Sequence, residues 1–173
     1  MQFKDLIRGT VLLVAVEATA LGAISCIAIN SAGDDLLAII SLAWWLIAAI
    51  LGLQQGTAER AAEALRDPLA SAKTATSLPS ESPSSIALAR LWPFGIFALI
   101  AGGLGAFFPQ IPAIATGFAL LFALAWRRRE AAVTAIEERD GVLFYVEHGS
   151  AFDAIKLIRT PGLRRGAAST PSL

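Results

Sequence analysis

Glu17 is the side chain with the clearest capacity for chemistry, because it is the only acidic or basic residue within four long apolar stretches of the chain. A carboxyl group in such surroundings is costly and is typical of proton transfer or cation passage. Trp44 and Trp45, at a comparable depth of the second stretch, offer indole N–H donors. A relay normally includes a second ionisable group, which these stretches lack. A structural hydrogen bond to a neighbouring helix or subunit therefore stays open as the alternative role of Glu17.

Arginines after the fourth apolar stretch are the second group of candidates. Their cationic side chains suit the phosphates of lipid headgroups. The alternative is that these charges only set the orientation and depth of the last span. The arginines predicted to contact headgroups are Arg127, Arg128, Arg129, Arg164 and Arg165.

Small residues recur at spacings that place them on one side of a helix. On the first stretch they form a seam from which Glu17 points mostly away, and the third stretch is rich in glycine. Such seams allow helix backbones to approach closely, within a chain or between copies of it. The predicted packing residues are Ala18, Gly22, Gly102, Gly103 and Gly105.

Recognisable catalytic motifs are absent from the sequence. It contains no phosphate-binding glycine loop, serine–histidine pair or paired carboxylates at metal-ligand spacing. His148, the only histidine, is expected in a solvated turn, and Cys26, the only cysteine, is expected to pack as a small residue. We therefore expect no catalytic residue, metal or cofactor, and a net charge of +0 gives no reason to expect a nucleic-acid partner.

The four apolar stretches are the elements that must position these groups. They comprise residues 10–29, 36–53, 91–108 and 111–126. About 20 apolar residues of helix cross a hydrocarbon core of about 30 Å. The composition agrees, with 55% hydrophobic and 16% charged residues. The sequence therefore predicts an all-α integral membrane protein with four transmembrane helices.

The positions of the basic residues predict how the chain is threaded through the bilayer. All 14 lysines and arginines lie in the N-terminal arm, in the link between the second and third stretches, or in the C-terminal tail. The other connections, residues 30–35 and 109–110, contain none and are short. Because basic residues are retained in the cytoplasm, we expect both termini to be cytoplasmic, and the short connections predict two antiparallel hairpins. The high usage of Ala and Arg indicates a bacterium, so the predicted location is the cell (inner) membrane.

Composition divides the chain into four regions. Residues 1–67 form the first hairpin with a cytoplasmic helical extension, and residues 68–90 form a flexible linker rich in Ser and Pro. Residues 91–140 form the second hairpin with its extension, and residues 141–173 form a basic tail. Within this tail a small β-hairpin is expected, with strands at residues 142–147 and 154–159. The first strand is too apolar to stay solvated, so the helix extensions, a second copy or another protein must cover it.

Three functions follow from these features, in order of preference. The first is a non-catalytic membrane protein that self-associates as a homo-oligomer or docks a partner through its cytoplasmic tail. The second is a small transporter or channel that uses Glu17 to move protons or cations. The third is a membrane enzyme that acts on lipid headgroups through the arginines, although the sequence offers no nucleophile or metal site for it.

Overall fold

The computed structural model describes residues 1–74, 82–147 and 149–161 of the 173-residue chain. The helices and strands in these ranges are α1 (Phe3–Ala32), α2 (Asp35–Gln55), α3 (Ala58–Ala70), β1 (Lys73–Thr74), α4 (Pro83–Leu104), α5 (Gln110–Trp126), α6 (Arg129–Asp140), β2 (Val142–Val146) and β3 (Leu157–Pro161). Four helical segments, α1, α2, α4 and Gln110–Asp140, are long and apolar enough to cross a membrane. The prediction of a mostly helical chain with four such segments is confirmed.

Glycines and capping side chains set several helix ends. Gly33, with a φ of 65°, ends α1, and Gly141, with a φ of 63°, ends α6. Glycine adopts this left-handed conformation without steric cost. At the start of α2, Asp34 Oδ1 accepts a hydrogen bond from the Leu37 N–H at 2.9 Å. Only Gly33 and Asp34 therefore separate α1 from α2.

The closest packing joins helices from different predicted hairpins. Helix α5 packs along both α1 and α2, whereas α4 packs more sparsely against α1 and α5. Helices α1 and α2, which are consecutive in the chain, share few contacts. The side chains of α5 explain this arrangement, because Ala115, Ala119 and Ala123 are buried and small enough to let neighbouring helices approach closely.

Glycines make the contact between α2 and α5 possible. A Cβ atom at Gly52 would lie 2.8 Å from both the Leu121 carbonyl oxygen and Leu124 Cβ. Gly117 of α5 lies directly against the Trp44 ring, and it leaves no room there for a larger residue. The two backbones are therefore in close contact along this line.

The strands form one three-stranded sheet in the order β1, β3, β2. Strands β2 and β3 pair antiparallel, with Phe144 opposite Arg159, and β1 pairs parallel to β3. The second strand begins at Leu157 rather than at residue 154 as predicted, and β1 is an additional strand. The first residues of the chain join the other edge of β2, where the Val146 N–H donates to the Met1 carbonyl at 3.0 Å.

Helices occupy both ends of the region predicted as a flexible linker. Helix α3 continues to Ala70 with Pro68 inside it, and α4 begins at Pro83, where proline suits the first helical turn. The middle of the predicted linker, residues 75–81, lies outside the described residues. The helical parts of the chain therefore reach further into this region than the composition indicates.

A core of large side chains lies beneath the sheet. Alternate residues of β2, namely Val142, Phe144 and Val146, are buried there. The other members of this core come from α1, α3, α4, α6 and β3, and they are Phe3, Leu6, Ile7, Leu65, Leu69, Ile86, Val133 and Leu157. Helices of the same chain therefore cover the apolar strand, which is the first of the three predicted alternatives. We call the end of the helices that carries this core the sheet end.

Glu137 links three elements at the sheet end. It is only 5% exposed, and its Oε1 accepts a hydrogen bond from the Phe144 N–H of β2 at 3.1 Å. Its Oε2 lies 3.5 Å from the Lys4 ammonium of α1. Helices α1 and α6 and strand β2 are thus held together by one buried carboxylate.

Candidate functional site

A cavity of about 660 Å³ opens at the sheet end between α1, α3, α4, the junction of α5 with α6, and the loop that joins β2 to β3. We call it the sheet-end cavity. Much of its wall is apolar, with Leu6, Leu91, Phe94 and Trp126 among the lining residues. The ionisable side chains that line it among the described residues are Asp67, Arg90, Arg129 and Asp153. It therefore combines a hydrophobic interior with a small number of charged groups.

Arg90 is the most unusual of these residues, because its side chain is buried without an ion-pair partner. It is 8% exposed, and its Nη1 donates to the Asp153 carbonyl oxygen at 3.2 Å. The loop backbone passes directly over the guanidinium, since a Cβ at Gly149 would lie 2.8 Å from Nη2. Among the described residues Nε has no hydrogen-bond partner, and Arg90 takes part in none of the ion pairs. The positive charge therefore has no anionic partner among the described residues.

Arg129 brings a second cation to the cavity. Its guanidinium carbon lies 3.9 Å from the centre of the Trp126 ring, within the range of a cation–π interaction. The Trp126 ring in turn stacks on Phe122 with 4.5 Å between ring centres. This stack holds the half-buried Arg129 side chain against the cavity wall and leaves its N–H groups for other partners.

Two carboxylates line the same cavity from more exposed positions. Asp153 lies in the loop between β2 and β3, where its Oδ2 accepts a hydrogen bond from the Ser150 N–H at 3.0 Å. Asp67 lies in the last turns of α3 and is also exposed. The buried part of the polar lining is therefore cationic and the exposed part is anionic.

An apolar patch borders the cavity on the outside of the molecule. Phe152, in the loop that lines the cavity, is 81% exposed and packs edge-on against Trp92 with 6.1 Å between ring centres. Leu88 on α4 is exposed as well. Tryptophan side chains are enriched at the boundary between the headgroups and the hydrocarbon of a bilayer.

Glu17 lines a separate cavity of about 300 Å³ further along the helices. Its other walls include Phe97, Phe118 and Phe122, and Phe94 lines both cavities. Glu17 is 7% exposed, and its Oε1 has no hydrogen-bond partner among the described residues. The carboxyl group is therefore surrounded mainly by aromatic side chains.

The predicted association of Glu17 with the two tryptophans is not present. Trp44 Nε1 donates to the Ile114 carbonyl at 3.2 Å, and Trp45 Nε1 donates to the Ala113 carbonyl at 2.8 Å. Both indoles thus join α2 to α5. The cavity that Glu17 lines is formed by residues of α1, α4 and α5.

The predicted packing residues lie in different surroundings. Ala18 is buried in a cluster with Val14 and residues of α5. A Cβ at Gly22 would meet Thr116 at 3.5 Å, and at Gly102 or Gly105 it would meet Ile24 within 3.3 Å. No heavy atom lies within 4 Å of such a Cβ at Gly103. Close contacts within the chain therefore surround all of these positions except Gly103.

The predicted headgroup arginines are only partly brought together. Arg129 lines the sheet-end cavity, whereas Arg127 and Arg128 are exposed beside it. Arg164, Arg165 and His148 lie outside the described residues. Sequence reasoning missed Arg90, which it treats only as one of the charges that set topology. The available signal is its position immediately before the third apolar stretch, close to Trp92.

Comparisons with known proteins do not assign the chain to a family. No protein-family model, curated protein or solved structure matches it. Across the described ranges, no group of three or more His, Cys, Asp or Glu side chains is arranged to hold a metal ion. The site is therefore interpreted from its geometry.

Proposed function

We propose that this chain is a non-catalytic, multi-pass membrane protein that binds an amphiphile with a phosphate headgroup in the sheet-end cavity. The observation that carries the proposal is the buried Arg90 guanidinium, which faces an apolar cavity without a carboxylate partner among the described residues. A buried charge of this kind is destabilising unless another group compensates it. A bound phosphate would supply that compensation.

The chemistry of the lining favours phosphate attached to hydrocarbon. Arg90 and Arg129 retain several N–H donors, and guanidinium binds phosphate through paired, charge-assisted hydrogen bonds. The neighbouring Leu91, Phe94 and Trp126 side chains suit the hydrocarbon part of the same ligand. A phospholipid of the surrounding leaflet combines both features.

The proposed orientation puts the sheet end in the cytoplasm of a bacterium. The described basic residues that support it lie in the first turns of α1, in α3, α6 and the sheet with its loop, at Arg90 of α4 and in the arginines that follow α5, as the retention of positive charge requires. The sheet-end cavity then lies at the level of the cytoplasmic headgroups, and the exposed Trp92 and Phe152 lie at the interface. Lipid can therefore reach the cavity laterally.

Docking through the tail has less support than the sequence alone indicates. The exposed apolar strand that motivates this idea is buried by helices of the same chain. Association with a second copy or a partner is therefore not needed to cover the sheet. We therefore propose that the sheet-end cavity, rather than the surface of the tail, is the binding site.

The experiment is a lipid titration followed by native mass spectrometry of the protein purified in mild detergent. Phosphatidylglycerol should bind, whereas diacylglycerol with the same acyl chains and no phosphate should not. We expect Arg129→Gln to weaken phosphatidylglycerol binding about tenfold, since a hydrogen bond to a charged group contributes about 1.5–3 kcal/mol. Arg128→Gln is the matched control, because this neighbouring side chain is exposed and does not line the cavity.

Arg90 is tested by two substitutions. Arg90→Gln should weaken binding at least as much as Arg129→Gln, and Arg90→Lys should retain part of the affinity because it keeps the charge. Equal binding of the two lipids by the wild-type protein would overturn the proposal. Equal losses in Arg129→Gln and Arg128→Gln would do the same.

A second candidate function, proton or cation movement through Glu17, is favoured by one observation. The Glu17 carboxyl group is buried with one oxygen unpartnered among the described residues, and it faces a cavity. In reconstituted vesicles that contain a pH-sensitive dye, the wild-type protein should then carry protons and Glu17→Gln should abolish the flux. Glu138→Gln, which changes an exposed carboxylate, is the control. Unchanged flux in Glu17→Gln would exclude this role.

A further inference from the structure

The charged residues of the sheet-end cavity are sorted by sign and by depth. Arg90 is buried and Arg129 is half-buried, whereas Asp67 and Asp153 are exposed. Among the charged lining residues the two cations are therefore less exposed to solvent than the two carboxylates. In a lipid whose headgroup points toward water, the phosphate would lie beside the arginines. The outer end of the headgroup would lie beside the more exposed carboxylates.

These opposite charges do not neutralise each other by direct contact. Among the described residues, no ion pair joins Asp67 or Asp153 to Arg90 or Arg129. The contact of Arg90 with Asp153 goes to the backbone carbonyl, and the Asp153 carboxylate accepts instead from the Ser150 N–H. Among the described residues the two cations and the two carboxylates therefore do not neutralise one another by direct ion pairing.

We infer that the ligand is a zwitterionic phospholipid whose headgroup carries a primary ammonium group beside its phosphate. This inference rests on the proposed function and specifies its ligand. The phosphate binds the Arg90 and Arg129 guanidinium groups, and the ammonium binds the carboxylates of Asp67 and Asp153. The negative phosphate and the positive ammonium of such a headgroup are thus complementary to the two arginines and the two aspartates of the lining.

Other phospholipids satisfy only part of this arrangement. Phosphatidylglycerol supplies the phosphate but leaves both carboxylates without a cation. Phosphatidylcholine supplies a positive charge, but its quaternary ammonium has no N–H, whereas a primary ammonium has three donors. The cavity should therefore select phosphatidylethanolamine among lipids with identical acyl chains.

The test compares these three lipids in the same native mass spectrometry titration, with dioleoyl chains throughout. The wild-type protein should bind phosphatidylethanolamine about threefold more tightly than phosphatidylglycerol, the magnitude typical of partly exposed ion pairs. The double variant Asp67→Asn with Asp153→Asn should lose this preference and bind phosphatidylglycerol at least as well as before. Asp5→Asn is the control, because Asp5 is an exposed carboxylate of α1 that does not line the cavity.

The outcomes separate this inference from the proposed function. If phosphatidylethanolamine and phosphatidylglycerol bind equally and both depend on Arg129, the ammonium inference is wrong and the phosphate site stands. If neither lipid binds better than diacylglycerol, the proposed function fails and the inference fails with it. Soluble glycerophosphoethanolamine should compete poorly, since it lacks the hydrocarbon. Competition as strong as that of the lipid would show a headgroup site without a lipid requirement and would overturn the choice of ligand.

Discussion

The core beneath the sheet and the contacts between the long helices bury side chains of different sizes. The core at the sheet end is built from residues such as Phe3, Ile86 and Phe144. The buried clusters between the long helices consist mainly of alanines, including Ala101, Ala119 and Ala123. Burial of large apolar groups is favourable where the alternative is water, whereas the membrane insertion proposed above would let the long helices gain more from close backbone contact. The two regions are therefore stabilised by different means.

The largest expected effect is the loss of volume in the sheet core. Phe144→Ala should lower the free energy of unfolding by about 3–5 kcal/mol, because it removes a buried ring and leaves a cavity. The measurement is an SDS titration of the protein in mixed micelles. Phe152→Ala is the control, since this ring is 81% exposed, and it should change stability by less than about 0.5 kcal/mol. Similar losses in both variants would show that the sheet core does not contribute specifically.

At the contacts between the long helices, we expect stability to fall when a side chain gains volume rather than when it loses volume. Gly52→Ala places a Cβ 2.8 Å from the Leu121 carbonyl oxygen, so α2 and α5 must separate. We expect stability in the same titration to fall by about 1–3 kcal/mol. Gly103→Ala, where no heavy atom lies within 4 Å of the added Cβ, should leave it unchanged or slightly higher. Equal tolerance at both positions would contradict the close approach of α2 to α5.

The buried carboxylate of the sheet end can be tested at Glu137. Glu137→Ala removes the acceptor of the buried Phe144 N–H and the partner of Lys4. Stability should fall by about 1–3 kcal/mol, the usual cost of leaving a buried donor unpaired. The neighbouring Glu138 is exposed, so Glu138→Ala should have little effect. Faster hydrogen exchange at the Phe144 amide in Glu137→Ala would show that the loss of stability comes from this hydrogen bond. Unchanged exchange would contradict the role of Glu137 as its acceptor.

The smallest expected effect concerns one hydrogen bond between helices. Trp45→Phe replaces the indole by a smaller aromatic ring and removes the donor to the Ala113 carbonyl, which lies at 2.8 Å. The loss should be about 0.6 kcal/mol, as for other hydrogen bonds between membrane helices. Trp92→Phe should show no loss of this kind, because its indole makes no hydrogen bond among the described residues. A loss above 2 kcal/mol, roughly the upper limit of such bonds, would show that Trp45 has a further role.

The four long apolar segments and the end of α6 are the parts of the fold that the sequence predicts well. Apolar length identifies the four long segments, and Asp140-Gly141 correctly marks the end of α6. Strand β2, at Val142–Val146, also lies where its composition indicates. These features depend on local properties of the chain, such as hydropathy and the conformational freedom of glycine.

The sequence does not predict well which strands pair and which helices pack together. Strand β1 has two polar residues, Lys73 and Thr74, and pairs with the edge of β3, so its own composition gives no signal. The start of β3 was predicted too early because Ile155 and Leu157 alternate as in a strand. In the structure, Ile155 belongs to the loop that lines the sheet-end cavity. The choice of α5 as partner of both α1 and α2 depends on surfaces that only the folded chain brings together.

The candidate site was predicted only in part for a similar reason. Arg129 was identified because three successive arginines follow the last span, and its role in the cavity agrees with that chemistry. Arg90 was overlooked, since its burial comes from the loop after β2, which is distant in sequence. The position of Arg90 just before the third apolar stretch indicates a site near the end of a span, but it does not indicate that a distant loop buries the side chain.

The hydrogen bond from Val146 to Met1 has a consequence for biosynthesis. The first residues of the chain cannot complete their pairing until the ribosome has made the strand that contains Val146. During this interval α1 through α6 are already translated, because all of them precede Val146 in the sequence. The pairing of residues 1 and 2 with β2 is therefore a late step that joins segments far apart in the sequence.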